Sequence, residues 1–352
     1  MKTIILSLDE GDMREPHSGL EEGGRILRQG GLVAFPTETV YGLGADGLNT
    51  EAVKKIYQAK GRPSDNPLIL HIASIEKIKE LAVNIPERAQ ILMEKFWPGP
   101  LTMVFNKKKN VPDQVTGGLD TVAVRMPSHP IARNLIAAAQ VPVAAPSANL
   151  SGRPSPTEAK HVIRDLEGRV DMIIDGGPCQ KGIESTVIDF TSSEPILLRP
   201  GSIPLEEIEA VIDTVRIDEG IIEQADIESP RSPGMKYKHY SPRAELRLIE
   251  GKPRKVKEKI EELVSRSQKR LGLLATRQMV ESLGSDLPPM TVKVMGERDD
   301  LEGIANRLFK LLREFDETDV ELVFVEGLPL KGMGLAIMNR LRKAAGYQII
   351  KA

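Results

Sequence analysis

The fold can be worked out from residues 32–39, which read Leu-Val-Ala-Phe-Pro-Thr-Glu-Thr. The first four residues are apolar and a proline closes them, which is the pattern of a short strand buried on both faces. Three polar residues follow at once, and the ends of strands are where α/β proteins place their ligand-binding groups. This stretch therefore predicts a buried strand that delivers Thr37, Glu38 and Thr39 to a site.

Outward from this stretch, short apolar runs alternate with segments of helical period. We expect strands at residues 68–72, 101–105, 121–125, 141–145, 172–175 and 185–189, and helices at residues 19–30, 50–60, 86–96, 130–140 and 157–165. Alternation of this kind predicts an α/β or α+β domain with a mixed sheet.

The periodicity lapses after residue 221 and resumes at Ala244. The interruption contains several prolines, and loops of this length are usually functional. Beyond it, strands and helices alternate again, which predicts parallel strands in a smaller Rossmann-like α/β domain. The predicted organisation is a first domain at residues 1–215, a linker or lid at residues 216–243 and a C-terminal domain at residues 244–352.

Composition excludes several classes of protein. The 352 residues are 40% hydrophobic and 28% charged with a formal net charge of −2, which is a globular composition without general basicity. No run of about 18 apolar residues predicts a membrane span, and the N-terminal apolar run is too short for a signal peptide, so we expect a cytoplasmic protein. The single cysteine, Cys179, excludes an internal disulfide and a cysteine zinc site.

Familiar cofactor motifs are weak or missing. Residues 42–47 match G-x-G-x-x-G, but a dinucleotide fingerprint should lie directly between a strand and a helix. Here the next predicted helix begins only near Thr50, so the match is weak. There is no phosphate-binding P-loop motif, and the five histidines lack metal-ligand spacing. We therefore expect no metal held by the protein alone.

Four cationic residues lie at the ends of predicted elements, namely Lys60, Arg62, Arg125 and Arg199. An arginine that ends an apolar strand is costly unless it meets an anion. Together these residues suit a polyphosphate and a carboxylate, which arginine binds through two parallel hydrogen bonds. Taken alone, Lys60 and Arg62 are equally well explained as cations at the negative end of a helix dipole.

Several long motifs in order resemble the YrdC-type threonylcarbamoyl-adenylate synthases, in the longer form with a C-terminal domain. The similarity covers nearly the whole chain and implies that the mixed sheet of the first domain is twisted around a deep pocket. The matching segments are residues 35–44, 60–63, 66–68, 97–102, 124–127, 146–152, 184–187 and 198–201, the linker motif at residues 232–242, and residues 326–329 and 336–341.

This resemblance implies a nucleotidyltransferase that condenses L-threonine, bicarbonate and ATP into threonylcarbamoyl-AMP and pyrophosphate. Mg²⁺ would accompany ATP. A separate tRNA threonylcarbamoyl transferase complex would use the product to form threonylcarbamoyladenosine in tRNA, with at most a weak direct contact between this chain and tRNA.

The resemblance also implies roles for individual residues. The catalytic tetrad would be Lys60, Arg62, Ser147 and Asn149. L-Threonine would be bound by Thr39, His71, Arg125, Ala145 and Ser185. ATP would be bound by Arg62, Asn66, Thr121, Ser147, Ser155, Arg199 and Tyr237, the last of which lies in the linker that would close over the pocket.

Other interpretations remain open at this point. An RNA-binding protein without catalysis would use basic residues such as the run at residues 107–109, although few aromatic residues are present for base stacking. Hydrogenase maturation factors also contain YrdC-like domains, but their zinc-finger modules need cysteines that this chain lacks. The loop at residues 327–334 precedes a predicted helix, so it is either an anion site or a simple turn.

Overall fold

A computed structural model describes residues 2–8, 17–222 and 240–352 of the chain. Internal contacts divide the chain into two compact units, each with its own sheet. The first comprises Met1–Ser151 with Ser155–Lys236, and the second comprises Gly152–Pro154 with Tyr237–Ala352. Most of the predicted linker, including Tyr237, lies outside the described residues.

The first unit is built on a mixed sheet that has twelve strands in the described part of the chain. The prediction of a mixed sheet is therefore confirmed. The order is β1-β9-β2-β3-β8-β4-β7-β6-β10-β11-β12, with β5 paired to β6. The strands are β1 (Ile4–Ser7), β2 (Val33–Phe35), β3 (Gly42–Asp46), β4 (Ile69–His71), β5 (Ala82–Val83), β6 (Leu101–Lys107), β7 (Thr121–Arg125), β8 (Val143–Ala144), β9 (Met172–Asp175), β10 (Thr186–Asp189), β11 (Ile196–Arg199) and β12 (Arg216–Ile217).

Helices follow most of these strands, as the alternation of patterns predicted. They are α1 (Ser18–Arg28), α2 (Thr50–Lys60), α3 (Ile78–Leu81), α4 (Glu87–Phe96), α5 (Asp113–Thr116), α6 (Pro130–Ala139), α7 (Ala159–Leu166), α8 (Leu205–Ile212) and α9 (Glu219–Ile222), with a 3₁₀ turn at Ile75–Lys77.

Local chemistry sets the limits of α2, the helix that carries Lys60. Asn49 caps its start by accepting hydrogen bonds from the amides of Glu51 and Ala52, and the helix begins at Thr50 as predicted. Gly61 ends the helix in the left-handed conformation, with φ of 60°, which favours glycine. The chain therefore turns sharply after Lys60.

The stretch at residues 32–39 behaves as its pattern predicted. Val33–Phe35 forms β2, which is wholly buried, and residues 37–39 follow it with exposures of 4% or less. The glycine pattern at residues 42–47 forms most of strand β3, paired antiparallel with β2. A glycine-rich pyrophosphate loop is therefore ruled out at this position.

Strand register places polar residues in one row across the sheet. His71 at the end of β4 is paired with Arg125 at the end of β7, and Arg125 faces Thr102 on β6. Val187 on β10 is paired with Thr102 on one side and with Arg199, the last residue of β11, on the other. Neighbouring strands lie about 4.8 Å apart, so this row of residues runs across five neighbouring strands, from β4 to β11.

The second unit has a parallel sheet of the order β15-β14-β16-β13-β17. This confirms the predicted parallel α/β class. Counted from β13, the order is 3-2-4-1-5, which differs from the 3-2-1-4-5 arrangement of dinucleotide-binding sheets. The elements are β13 (Glu245–Glu250), α10 (Pro253–Arg266), β14 (Leu271–Ala275), α11 (Arg277–Ser282), β15 (Thr291–Val294), α12 (Leu301–Phe315), β16 (Leu322–Glu326), α13 (Met333–Ala344) and β17 (Ile349–Lys351).

The loop before α13 closes as a turn. The amide of Gly334 donates to the carbonyl of Lys331, and the amide of Leu335 donates to that of Gly332. A Cβ at Gly334 would come within 2.0 Å of the carbonyl oxygen of Pro329, so only glycine fits there. Close packing therefore accounts for Gly334, and a left-handed φ of 54° accounts for Gly332, which favours the simple turn over the anion site. In the described part of the chain, no helix is long and apolar enough to cross a membrane.

Candidate active site

Arg125 is the centre of the polar row. Its side chain is 5% exposed, and its Nε donates to the carbonyl of Gly99 at 3.3 Å while Nη1 donates to Thr39 Oγ1 at 3.0 Å. Nη2 lies 2.7 Å from Oε1 of Glu38, whose side chain is equally buried. A guanidinium has five N–H groups, so this anchored side chain still has donors to offer a ligand carboxylate.

Ser185 and Arg199 form the next part of the row. Arg199 donates through Nε and Nη2 to the carbonyl oxygen of Ser185, at 3.1 and 2.9 Å, and through Nη2 to its Oγ at 2.9 Å. The same Oγ lies 2.7 Å from Thr102 Oγ1. Ser185 therefore has a fixed rotamer, held from two strands, and the arginine that sequence analysis assigned to ATP touches the serine it assigned to threonine.

His71 lies beside Arg125 and is buried. Its Nδ1 is 3.2 Å from the carbonyl oxygen of Ile69. An N–H at Nδ1 can donate to that carbonyl, which leaves Nε2 as an acceptor. Burial and the charge of Arg125, opposed by Glu38, lower the pKa of His71 from 6.5 to about 3. The imidazole is therefore neutral in the native protein at neutral pH.

This burial leads to a prediction about stability. In the pH range between about 3 and 6.5, the unfolded state binds a proton at His71 that the native state does not. The free energy of unfolding should therefore rise with pH in that range, by at most about 1.4 kcal/mol per pH unit from this group. His71→Asn should flatten the slope, as measured by urea unfolding at several pH values. Equal slopes for the two proteins would contradict the assignment.

Lys60, Ser147 and Asn149 form a second cluster. Lys60 is 3% exposed, and its Nζ donates to the carbonyl oxygens of Ser147 and Asn149, the latter at 2.6 Å. Ser147 Oγ donates to Oδ1 of Asn149, and Nδ2 of Asn149 donates to the carbonyl of Leu150 at 2.8 Å. The ammonium group thus holds the loop that follows β8 and fixes the position of its own charge.

Arg62, Asn66 and Thr121 lie at the opposite ends of β4 and β7 from His71 and Arg125. Arg62 Nη2 is 3.4 Å from the carbonyl oxygens of both Asn66 and Pro67. Asn66 is 0% exposed, and its side-chain oxygen and nitrogen have no hydrogen-bond partner in the described part of the chain. Buried amide atoms without partners are costly, which indicates that a ligand supplies them.

Two further predicted residues have clear surroundings. Ser155 is 0% exposed, and its Oγ donates to Oε1 of Glu184 at 2.6 Å. Ala145 is also buried, and its amide donates to the carbonyl of Ile69 at 3.0 Å. Only the carbonyl of Ala145 is left for a ligand, because its amide is part of the sheet. Tyr237 lies outside the described residues.

The site residues therefore form two groups along the same strands. Thr39, His71, Arg125 and Ser185 lie at the row, whereas Arg62, Asn66 and Thr121 lie one strand length away. Thr121 and Arg125 are four residues apart on β7, which is about 13 Å in a strand. This spacing suits two substrates that meet between the groups.

Sequence analysis gave no role to three residues that the structure places here. Glu38 contacts Arg125, Thr102 contacts Ser185, and Glu184 contacts Ser155. Glu38 was predicted to lie at a site, because it follows a buried strand, but no role there was assigned to it. Thr102 lies inside an ordinary apolar strand pattern, so only the register of β6 with β7 shows its role.

Cys179 is buried, and burial raises the pKa of its thiol.

The described residues contain no group of three or more His, Cys, Asp or Glu side chains that could hold a metal ion. The chemistry of the site instead consists of cations, hydroxyls and amides. Such groups suit anionic substrates that bring their own charge.

Comparison with family models divides the chain in sequence. A model described as "Telomere recombination" matches residues 25–201. A model described as "Threonylcarbamoyl-AMP synthase, C-terminal domain" matches residues 203–346. Together they account for most of both units.

Named relatives and solved structures agree with these matches. The threonylcarbamoyl-AMP synthase of Pyrococcus abyssi is 53% identical over 329 residues, which cover 93% of this chain and 94% of that protein. The enzyme of the same name from Bacillus subtilis is 49% identical, over 97% of both chains. A crystal structure of P. abyssi Sua5 complexed with L-threonine has a TM-score of 0.92 and 50% identity, and the match covers 99% of this chain and 100% of that one.

Proposed function

The chain belongs to the threonylcarbamoyl-AMP synthase family, and from this premise we propose how its residues divide the work of the reaction. It is an enzyme of the nucleotidyltransferase type. The reaction condenses L-threonine, bicarbonate and ATP into threonylcarbamoyl-AMP and pyrophosphate. The observation that best supports this function is the pair of polar groups at the two ends of β4 and β7, one suited to an amino acid and one to a nucleotide.

The group around Arg125 is the threonine end. Arg125 would bind the carboxylate, with Ser185 and Thr39 beside it. The hydroxyl of threonine would donate to an acceptor such as Nε2 of the neutral His71, and the carbonyl of Ala145 offers a further acceptor. Rejection of serine rests on one methyl group, worth about 1–3 kcal/mol, whereas a site built for the hydroxyl can reject valine more strictly.

The group around Lys60 is the nucleotide end. Lys60, Arg62, Ser147 and Asn149 form the proposed catalytic tetrad, and Asn66, Thr121, Ser155, Arg199 and Tyr237 complete the proposed ATP site. The unpartnered amide of Asn66 supports this assignment directly. In the reaction a carbamate oxygen attacks the α-phosphorus and pyrophosphate leaves. Fixed cations stabilise the charge that develops on the phosphoryl oxygens, without reorganisation at the moment of reaction.

Mg²⁺ fits this site as a companion of ATP. No cluster of metal-ligating side chains is found in the described residues, whereas ATP phosphates supply the oxygen ligands that Mg²⁺ prefers. When bound, the ion would neutralise phosphate charge. The protein would contribute Lys60, Arg62 and Arg199 around the same phosphates.

The wider context follows from the product. Threonylcarbamoyl-AMP is an activated acyl group, so a transferase complex that modifies tRNA would consume it, and we propose that the enzyme works in the cytoplasm. A weak contact of this chain with tRNA is part of the proposal.

We retain residues 1–215, 216–243 and 244–352 as the catalytic domain, the linker or lid, and the C-terminal domain. A lid would protect the labile carbamate from water.

The test is release of AMP and pyrophosphate from ATP, with threonine and bicarbonate each supplied or omitted. We expect release that requires both, together with a product of the mass of threonylcarbamoyl-AMP. The alternative of an RNA-binding protein without catalysis is not favoured by the names of the relatives. Release that is indifferent to threonine, with steeply salt-dependent tRNA binding, would support that alternative.

A further inference from the structure

Glu38 is a buried carboxylate that the reaction described so far does not use. It is 4% exposed, and neither of its oxygens accepts a hydrogen bond of good geometry within the described residues. Its close contact is the ion pair with Arg125, 2.7 Å between Oε1 and Nη2. Burying an ion pair is costly, because both charges lose their hydration, so the presence of this carboxylate beside the threonine-binding arginine calls for an explanation.

The charges of the pair match those of an amino acid. Glu38 and Arg125 together form a buried pair with one negative and one positive charge. Free threonine is a zwitterion, with a carboxylate that suits Arg125 and an ammonium group that suits Glu38. A site without Glu38 would lack the carboxylate beside Arg125, and the like charges of ammonium and guanidinium would repel.

The reaction requires that this ammonium group lose a proton. Only the neutral amine has the lone pair that forms the new N–C bond, and an α-amino group has a pKa of about 8. The basic groups beside Arg125 are the carboxylate of Glu38 and the imidazole of His71. His71 has a pKa lowered to about 3, which makes it a weak base, and its Nε2 is the acceptor proposed for the threonine hydroxyl. The carboxylate of Glu38 is therefore the base that remains for the ammonium group.

On the premise of the function above, we propose that Glu38 is the catalytic base, which takes the proton from the ammonium group of threonine while Arg125 holds its carboxylate. One N–H bond breaks and one O–H bond forms on Glu38. The free amine then bonds to the carbon of bicarbonate and water leaves, which yields the carbamate. Glu38 retains the proton until solvent removes it, so atoms and charge balance.

The ion pair explains how such a carboxylate becomes basic only when threonine is present. Burial raises the pKa of Glu38, but Arg125 and the nearby amides of Glu38 and Ser128 outweigh burial and lower it. A substrate carboxylate on Arg125 shares the positive charge and leaves burial as the larger influence. The other titratable groups near Glu38 are the neutral His71 and the protonated thiol of Cys179, neither of which opposes this change.

The experiment compares Glu38→Gln and Glu38→Asp with the wild type, by measuring kcat and KM for threonine between about pH 6 and 9. For Glu38→Gln we expect kcat to fall by about 10²–10⁴-fold, the usual contribution of a positioned base. The remaining rate should rise about tenfold per pH unit below the pKa of the amine. Glu38→Asp should keep the pH profile of the wild type with a partial loss of kcat.

Glu326→Gln is the matched control. Glu326 in the second unit is also a buried carboxylate paired with an arginine, 2.5 Å from Arg298. The Glu326→Gln variant should be less stable than the wild type but should keep its kcat and its pH profile. Thermal unfolding of each variant, and threonine binding by calorimetry, separate folding from catalysis. If Glu38→Gln does not fold, the kcat and profile of Glu38→Asp decide.

The proposal fails if Glu38→Gln keeps kcat within about threefold of the wild type, or if either variant raises KM for threonine with the kcat and pH profile of the wild type. Glu38 would then only orient Arg125. A wild-type protein that releases no AMP in response to threonine would instead overturn the proposed function itself. The two failures are therefore distinguishable in one set of assays.

Discussion

Replacing Lys60 by alanine should lower kcat by about 10²–10³-fold, the loss that follows removal of one preorganised charged or hydrogen-bonding group from a transition-state site. Lys60 is 3% exposed and its Nζ is held by the carbonyl oxygens of Ser147 and Asn149. The charge is therefore fixed before substrates arrive. Because threonine would bind around Arg125, its KM should change little.

The same contacts give Lys60 a second effect. Its two hydrogen bonds join the end of α2 to the loop that carries Ser147 and Asn149. Loss of Nζ should therefore loosen Ser147 and raise KM for ATP as well. Lys60→Arg would keep the charge without the compact ammonium group that fits between two carbonyls, so it should recover little of the rate.

Steady-state assays of AMP release, with ATP and threonine varied separately, measure these effects. Lys55→Ala is the matched control, because Lys55 lies on the same helix and donates to the carbonyl of Gly30 at 2.6 Å. It should leave kcat unchanged. A near-normal kcat for Lys60→Ala would show that Lys60 is not catalytic. Lys60 would then be a cation at the end of a helix, the simpler explanation that the sequence alone left open.

The fold was largely predictable because the first unit follows local patterns. The apolar run before Pro36 became β2, and the alternation of runs predicted the mixed sheet. Strand pairing was not predictable, since the order of β4, β7 and β6 depends on contacts between distant residues. In the second unit the parallel strands were predicted, but their order of 3-2-4-1-5 could not be read from the alternation of strands and helices.

The site was predictable in composition and only partly in geometry. Cations at element ends indicated anion binding, and Arg125 at the end of an apolar strand was the clearest case. The structure adds the side-chain contacts of each site residue, and these contacts indicate what each residue can do. Thr102 was missed because its position opposite Arg125 depends on register. Glu38 was seen in the sequence, but its pairing with Arg125 required the packing of the loop after β2 against β7.

Replacing Arg125 by alanine should raise KM for threonine by about 10²-fold or more, because hydrogen bonds between charged groups contribute roughly 1.5–3 kcal/mol each. The kcat at saturating threonine should fall less, because Lys60 and Arg62 are untouched. The variant should also be less stable. It leaves the carboxylate of Glu38 buried without its partner, which costs about 3–5 kcal/mol when one member of a buried ion pair is removed.

A double substitution separates the two effects of Arg125. Arg125→Met with Glu38→Gln removes both charges and keeps similar volumes, so most of the lost stability should return. Binding of threonine should not return, since no cation remains for its carboxylate. Chemical denaturation and calorimetric titration with threonine on four proteins, namely the wild type, Arg125→Met, Glu38→Gln and the double variant, complete a double-mutant cycle.

The outcomes of that cycle decide what Arg125 does. Weak threonine binding in both the single and the double variant, with stability restored in the double, identifies Arg125 as the carboxylate partner. If binding returns together with stability, the arginine is not the carboxylate partner, and the loss in the single variant came from the buried charge left on Glu38. Unchanged threonine affinity in Arg125→Ala would refute the assignment outright. In that case Arg199, which donates to Ser185 at 2.9 Å, would be the next cation to test as the carboxylate partner.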